Sequence, residues 1–258
     1  MLTLNIPESG DAPLFEAILE PTVTAVDKLV KNKDMGEGEI NTFRGRKNKI
    51  AVGVPYYENL ISRLVEENKE IPHEIKQMMA NNDFHFVALS CSFLPDRDCK
   101  FVWASFGVDL RTRSKYGESY EEKPIVYDMA PSEVLSEIKY SRKVNFSPEG
   151  KLSLGVVNMG MRVIDIETEK EFIIHEPQIF AYGIGRSKVA WHFKTTKEKG
   201  IWGNKGGLLL IVKAPKNSKI KGRFLLGAEV EFNIGKWIPI PLSKREDKVV
   251  DDEYDLSE

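Results

Sequence analysis

The sequence predicts an α+β, mainly β protein: an antiparallel β-sandwich or barrel-like core with an N-terminal helical region packed on it. Three observations carry that expectation. From Phe84 onward apolar residues recur with a period of two, the pattern of strands that bury one face. The alternating runs are short and separated by Gly, Pro and Asn, which favours antiparallel sheets over βαβ units. Before Phe84 the apolar spacing is closer to 3.6, the helical repeat. The expected organisation is a helical region over 1–83, a sandwich over 84–242 and a charged tail over 243–258.

In chain order, Asp11 is placed to cap a helix with Pro13 in its first turn and Leu14, Phe15, Ile18 and Leu19 on one face. Pro21 ends that helix, and Val23, Val26, Leu29 and Val30 resume the repeat. Met35 to Lys49 reads as a loop, with three glycines and the basic residues Arg44, Arg46, Lys47 and Lys49. A helix from about Tyr56 presents Leu60, Ile61, Leu64 and Val65, and a short one after Pro72 presents Ile75, Met78 and Met79.

The clearest hairpin pairs Val87, Leu89, Cys91 and Phe93 with Val102, Ala104, Phe106, Val108 and Leu110 across a turn at Pro95 to Lys100. Its other face carries Phe84, Phe86, Phe101 and Trp103, so a cover of helices or a second sheet is expected. Further strands are expected at 125–127, 143–146, 152–157, 162–166, 171–174, 180–182, 189–193, 207–214 and 223–232, with a helical turn after Pro131. The tail from Ser243 is charge-rich and expected to fray.

Composition narrows the function classes. The chain has 258 residues with 37 basic and 39 acidic side chains, a balance that disfavours wholesale capture of nucleic acid. No apolar run approaches the length needed to cross a bilayer, so membrane insertion is not expected. The N-terminus lacks a basic, apolar leader. Cys91 and Cys99 are the only cysteines, spaced for neither a zinc site nor a CxxC pair. Two free thiols in a reducing compartment, hence a soluble cytoplasmic protein with no metal and no cofactor, is the expectation.

The segment Gly200-Ile201-Trp202-Gly203-Asn204-Lys205-Gly206-Gly207 is the most suggestive motif. A glycine-rich turn with a lysine can cradle phosphate, but a P-loop opens a helix and here an apolar strand follows. Gly203 to Gly207 is similar to the GNKGG element of endonuclease/exonuclease/phosphatase-type phosphodiesterases. That resemblance covers five residues and implies metal-assisted phosphodiester chemistry, yet the family's GDxN and SDH elements are absent. A tight hairpin turn is the preferred reading. Gly183-Ile184-Gly185-Arg186-Ser187 lacks the third glycine and the helix of a dinucleotide site, and reads as a loop between strands.

Catalysis has one candidate set. If their strands converge, His175 and His192 could act as base or ligand, oriented by Asp128 or Glu176 near Lys205. That would suit a hydrolase acting on a phosphorylated or ester substrate. No GxSxG elbow occurs, and a buried Cys91 is a poor nucleophile. The preferred reading is a non-enzymatic interaction or ligand-binding module whose partner is another protein or a small molecule. Its expected contacts are Arg186, Trp202, Asn204, Lys205 and Trp237, in glycine- and lysine-rich loops, while Trp191 fills the core. The basic clusters at 44–49 and 213–223 read as solvated loops. A membrane-surface protein ranks last, because acidic residues such as Glu16, Glu20, Glu66 and Glu67 share the polar faces.

Overall fold

The computed structural model describes residues 2–5, 13–22, 36–113, 123–134, 140–146, 149–156, 178–195, 200–233, 237–243 and 254–256. The elements in the first 83 residues are β1 (Leu2–Asn5), β2 (Pro13–Pro21), α1 (Glu37–Arg44), β3 (Asn48–Gly53), β4 (Tyr56–Asn59), α2 (Leu60–Glu66), α3 (His73–Met78) and the start of β5 (Asn82–Leu94). Then come β6 (Cys99–Arg113), β7 (Ile125–Ala130), β8 (Glu133–Val134), β9 (Tyr140–Phe146), β10 (Leu152–Val156) and β11 (Gln178–Tyr182). The chain continues with β12 (Lys188–Lys194), β13 (Gly203–Pro215), β14 (Lys219–Asn233), β15 (Trp237–Ser243) and β16 (Tyr254–Asp255).

The protein is mainly β, with antiparallel sheets packed as a sandwich. One sheet runs β7-β13-β5-β3-β2, with β4 also on β5; the second runs β15-β14-β6-β12-β11-β8, with β16 on β14. Two seams join them. Pro21 and Glu20 of β2 register with Leu242 and Ser243 of β15. On the opposite side, the Val126 N–H donates to Arg186 O and the Gly185 N–H to Val126 O, so the β11–β12 turn meets β7. A small sheet, β1-β9-β10, stands apart from this path.

The core lies between the sheets. Val87, Leu89, Cys91, Phe93, Leu210 and Val212 face Ala104, Phe106, Val108, Trp191, Phe193, Phe224 and Val230. Aromatic rings fill the core: Phe93 meets Phe193 at 5.3 Å and Phe101 at 5.8 Å across the layers, and within the second sheet Phe106 stacks on Trp191 and Phe224. Such pairs add about 0.5–1.5 kcal/mol beyond the area they bury. The other face of the first sheet, Phe84, Phe86, Ala88, Leu209 and Ile211, is covered by Leu60, Leu64, Ile75 and Leu152. Burial on both faces explains why β5 is almost continuously apolar.

Helices α2 and α3 fall within the expected helical stretches. Asn59 Oδ1 caps α2 by accepting from the Ile61 and Ser62 N–H groups at 3.0 Å. Arg63, 8% exposed, spans Glu58 and Glu67 and lies over the Phe86 ring. Residues 56–59, however, form a strand on β5 before that helix begins.

Several expectations are corrected. The stretch Leu14 to Leu19 is a strand: paired apolar residues fit both periods, and β3 as a neighbour selects alternation. Ala17 and Leu19 turn inward while Ile18 is 47% exposed, and the outward Glu16 pairs with Lys49 at 2.5 Å. Residues 37–44 form α1 rather than loop, with Glu39 Oε2 accepting the Gly36 N–H and two acids favouring the N-terminal end of the dipole.

The third correction concerns the hairpin. β5 and β6 do not pair; β5 lies between β13 and β3, and β6 between β14 and β12, in facing sheets. The turn at Pro95 to Lys100 is therefore an arch across the core. The likewise unpaired β13 and β14 are linked by a second arch at 216–218. Asp96 anchors the first by accepting the Lys47 N–H at 2.6 Å, and Asn48 Oδ1 accepts the Asp96 N–H. Arg46 pairs with Asp98 and Lys49 with Glu16, so two basic side chains of the 44–49 cluster are engaged internally. Asp83 receives the Lys216 ammonium and the Asn217 N–H at the second arch.

The fourth is the tail. Tyr254 and Asp255 pair with Gly222 and Lys221, and Leu256 is fully buried. A Cβ on Gly222 would stand 2.8 Å from Leu256 Cδ1, so a side chain there would displace the Leu256 methyl. After Pro131, residues 133–134 form a strand rather than a helical turn. The expected helix at 23–30 and strands at 162–166 and 171–174 lie outside the described residues.

Candidate functional site

The outer face of the second sheet is a grid fixed by strand register. One row places Glu229 beside Trp103 and Trp103 beside Lys194. The next places Gly227 beside Ser105, then His192, then Phe180. A third runs Leu225, Gly107, Ala190 and Tyr182. Alternation explains the division, because Trp191 and Phe193 point into the core and leave His192 and Lys194 outside.

This face holds a cleft of about 430 Å³ lined by Val102, Trp103, Phe180, His192, Lys194, Thr195 and Glu229. Rings on this face touch edge to face: Trp103 and His192 have centroids 5.3 Å apart at 71°, and Tyr182, beside the cleft, is 4.9 Å from His192 at 77°. Tyr182 is 56% and Phe180 37% exposed, although both are large and apolar enough to be favoured inside. The floor is small: a Cβ on Gly227 would be 3.9 Å from Trp103 Cζ3, so that glycine lies beneath the indole. Burial among the rings pushes the His192 imidazole below its ordinary pKa, which keeps it neutral at pH 7.

Of the proposed catalytic set, His192 and Asp128 do not meet, and Glu176 lies outside the described residues. Asp128 sits on β7 in the other sheet, where its carboxylate accepts the Met129 and Leu152 N–H groups. Burial holds that carboxyl above the usual range despite both bonds. His192 has Trp103 and Tyr182 as ring neighbours instead. His175 lies outside the described residues. Among the described residues no group of histidine, cysteine and carboxylate side chains is arranged to hold a metal ion.

The expected binding residues are spread over three places. Arg186 is exposed in the β11–β12 turn, whose backbone is engaged with β7. Gly183 is required in that turn, since a Cβ would meet Lys188 O at 2.4 Å and φ is +106°. Trp202 is 64% exposed just before β13. Asn204 and Lys205 lie within β13, opposite Ser92 and Cys91. The expected turn at 203–207 is thus a bulged strand, whose extra residues at Gly206 and Gly207 stand against Ser90. Lys205 is only 7% exposed beside Cys91, whose thiol burial pushes far up. Trp237 opens β15 opposite Asn233, with β5, β3 and β2 between its strand and β13.

Sequence reasoning placed Trp103 on the covered face of a hairpin and so missed this cleft. The available signal was the run Trp103, Ser105, Gly107, a bulky ring followed on one face by two small residues.

No protein-family model matches the sequence, and no curated protein matches it. Among solved structures the chain is similar to Clostridium perfringens delta-toxin, at 10% identity and a TM-score of 0.32, over 77% of this chain and 81% of that one. A likeness that loose assigns no function. No helix among the described residues is long and apolar enough to cross a membrane.

Proposed function

We propose that this protein is a non-enzymatic binding module whose ligand seats in the cleft on the outer face of the second sheet. The observation that carries the reading is the ring cluster of exposed Tyr182 with half-buried Trp103 and His192 beside a cleft of about 430 Å³. Sites for small ligands have volumes of about 300–1,000 Å³ and combine aromatic walls with a few polar groups. Lys194, Glu229 and Thr195 supply those groups here.

Nuclear magnetic resonance of the labelled protein with a library of small neutral and charged compounds tests the site. Shift changes centred on the Trp103 indole, Tyr182 and His192 are expected. Changes centred on Asp128, or at the Gly203 to Gly207 strand, would overturn it.

Another protein as partner is the second reading, favoured by Trp202, which stands 64% exposed. Both cysteines are unpaired, Cys91 buried and Cys99 half-buried, which accords with a reducing, cytoplasmic setting.

A further inference from the structure

We infer that the ligand of this cleft is a neutral saccharide, one sugar face stacked on Trp103 or Tyr182 and its hydroxyls met by Glu229, Lys194 and Thr195. The inference rests on the reading that the cleft is a ligand site, and it adds the chemical class.

Charge is the first ground. The lining carries one carboxylate, Glu229, and one ammonium, Lys194, on either side of Trp103. An aromatic cage for a cation gains from a negative surround, and Lys194 opposes that here. A phosphate or carboxylate needs surplus positive charge, and Glu229 cancels it. His192, neutral at pH 7, alters neither balance. A ligand without net charge is what remains favourable.

Ring geometry is the second ground. A planar base is held best between parallel rings. Trp103 and Tyr182 instead meet His192 at 71° and 77°, so His192 forms no parallel slot with either ring. A single exposed ring suits the apolar C–H face of a sugar, while the sugar's edge remains polar.

Hydrogen-bond chemistry is the third. A sugar hydroxyl both donates and accepts. Glu229 accepts, Lys194 donates, and the Thr195 hydroxyl and neutral His192 can do either.

The test is a glycan array carrying neutral, sialylated and sulfated glycans, probed with the full chain. Calorimetry follows with the best neutral saccharide and with choline, adenosine and inorganic phosphate. Binding to neutral glycans is expected, insensitive to salt, and weakened at least about tenfold in both Trp103→Ala and Tyr182→Ala. Tyr182 is exposed, so its variant should keep the fold even if the Trp103 variant does not. Absence of neutral glycan binding, or binding of charged glycans alone, would overturn the saccharide class. Choline or adenosine binding in place of sugars, lost in Tyr182→Ala, would overturn the class while leaving the cleft as the site. Saccharide binding unchanged in both variants would overturn the cleft itself.

Discussion

Leu256 illustrates what one residue contributes in a segment whose composition predicts fraying. It is fully buried beside Gly222, and its N–H donates to Ile220 O at 2.8 Å. The contact fixes β16 on the strand edge that β15 leaves at Gly227. Covering such an edge protects it from pairing with other chains. Leu256→Ala should cost about 2–5 kcal/mol in urea unfolding, the range for a buried leucine. A change below about 0.5 kcal/mol would mean the tail does not seat. In sequence, this leucine stands among Asp251, Asp252, Glu253 and Asp255, and only its burial partner distinguishes it from the charges around it.

At the scale of elements, alternation located the strands and even their inner faces, but not their partners. Val87 to Phe93 and Ala104 to Val108 do face one another, as their pattern implied. They do so across the core between two sheets, not side by side within one. A period of two states which side chains share a face and is silent on hydrogen-bond neighbours. The residues that decide the matter are at the arch, where Asp96 binds the Lys47 N–H forty-nine positions away in sequence. Hydrogen bonds from the Lys47 and Arg97 N–H groups hold its carboxyl below the usual range. Asp96→Ala should therefore cost about 1–2 kcal/mol at neutral pH. Because the folded pKa lies below the unfolded value, this stabilisation is present above about pH 4 and lost as pH falls through the folded value. The gap between wild type and variant in urea melts should close in that acid range; a gap independent of pH would contradict the role. At β2, adjacent apolar pairs satisfy both periods, so strand β3 settled what the local pattern left open.

Over the whole molecule, the two seams and the shared aromatic core predict cooperative unfolding. Phe93 touches Phe101 and Phe193 of the facing sheet, so Phe93→Ala should lose about 3–5 kcal/mol and shift fluorescence and circular-dichroism transitions together. Separated transitions would show that the sheets unfold independently. The functional face is also a property of the assembly. Trp103, His192 and Tyr182 come from three strands and are separated by up to 89 positions, and only the register of β6, β12 and β11 brings their rings together. Linear motifs pointed instead at the glycine-rich string, whose Lys205 is buried within β13. His192 was legible as a candidate, but its neighbour Trp103 was not. The most direct test compares ligand capture by wild type, Trp103→Ala and Trp202→Ala. Loss in Trp103→Ala with Trp202→Ala unaffected is the expected result; loss in Trp202→Ala alone would place the site at the β12–β13 connection and contradict the cleft.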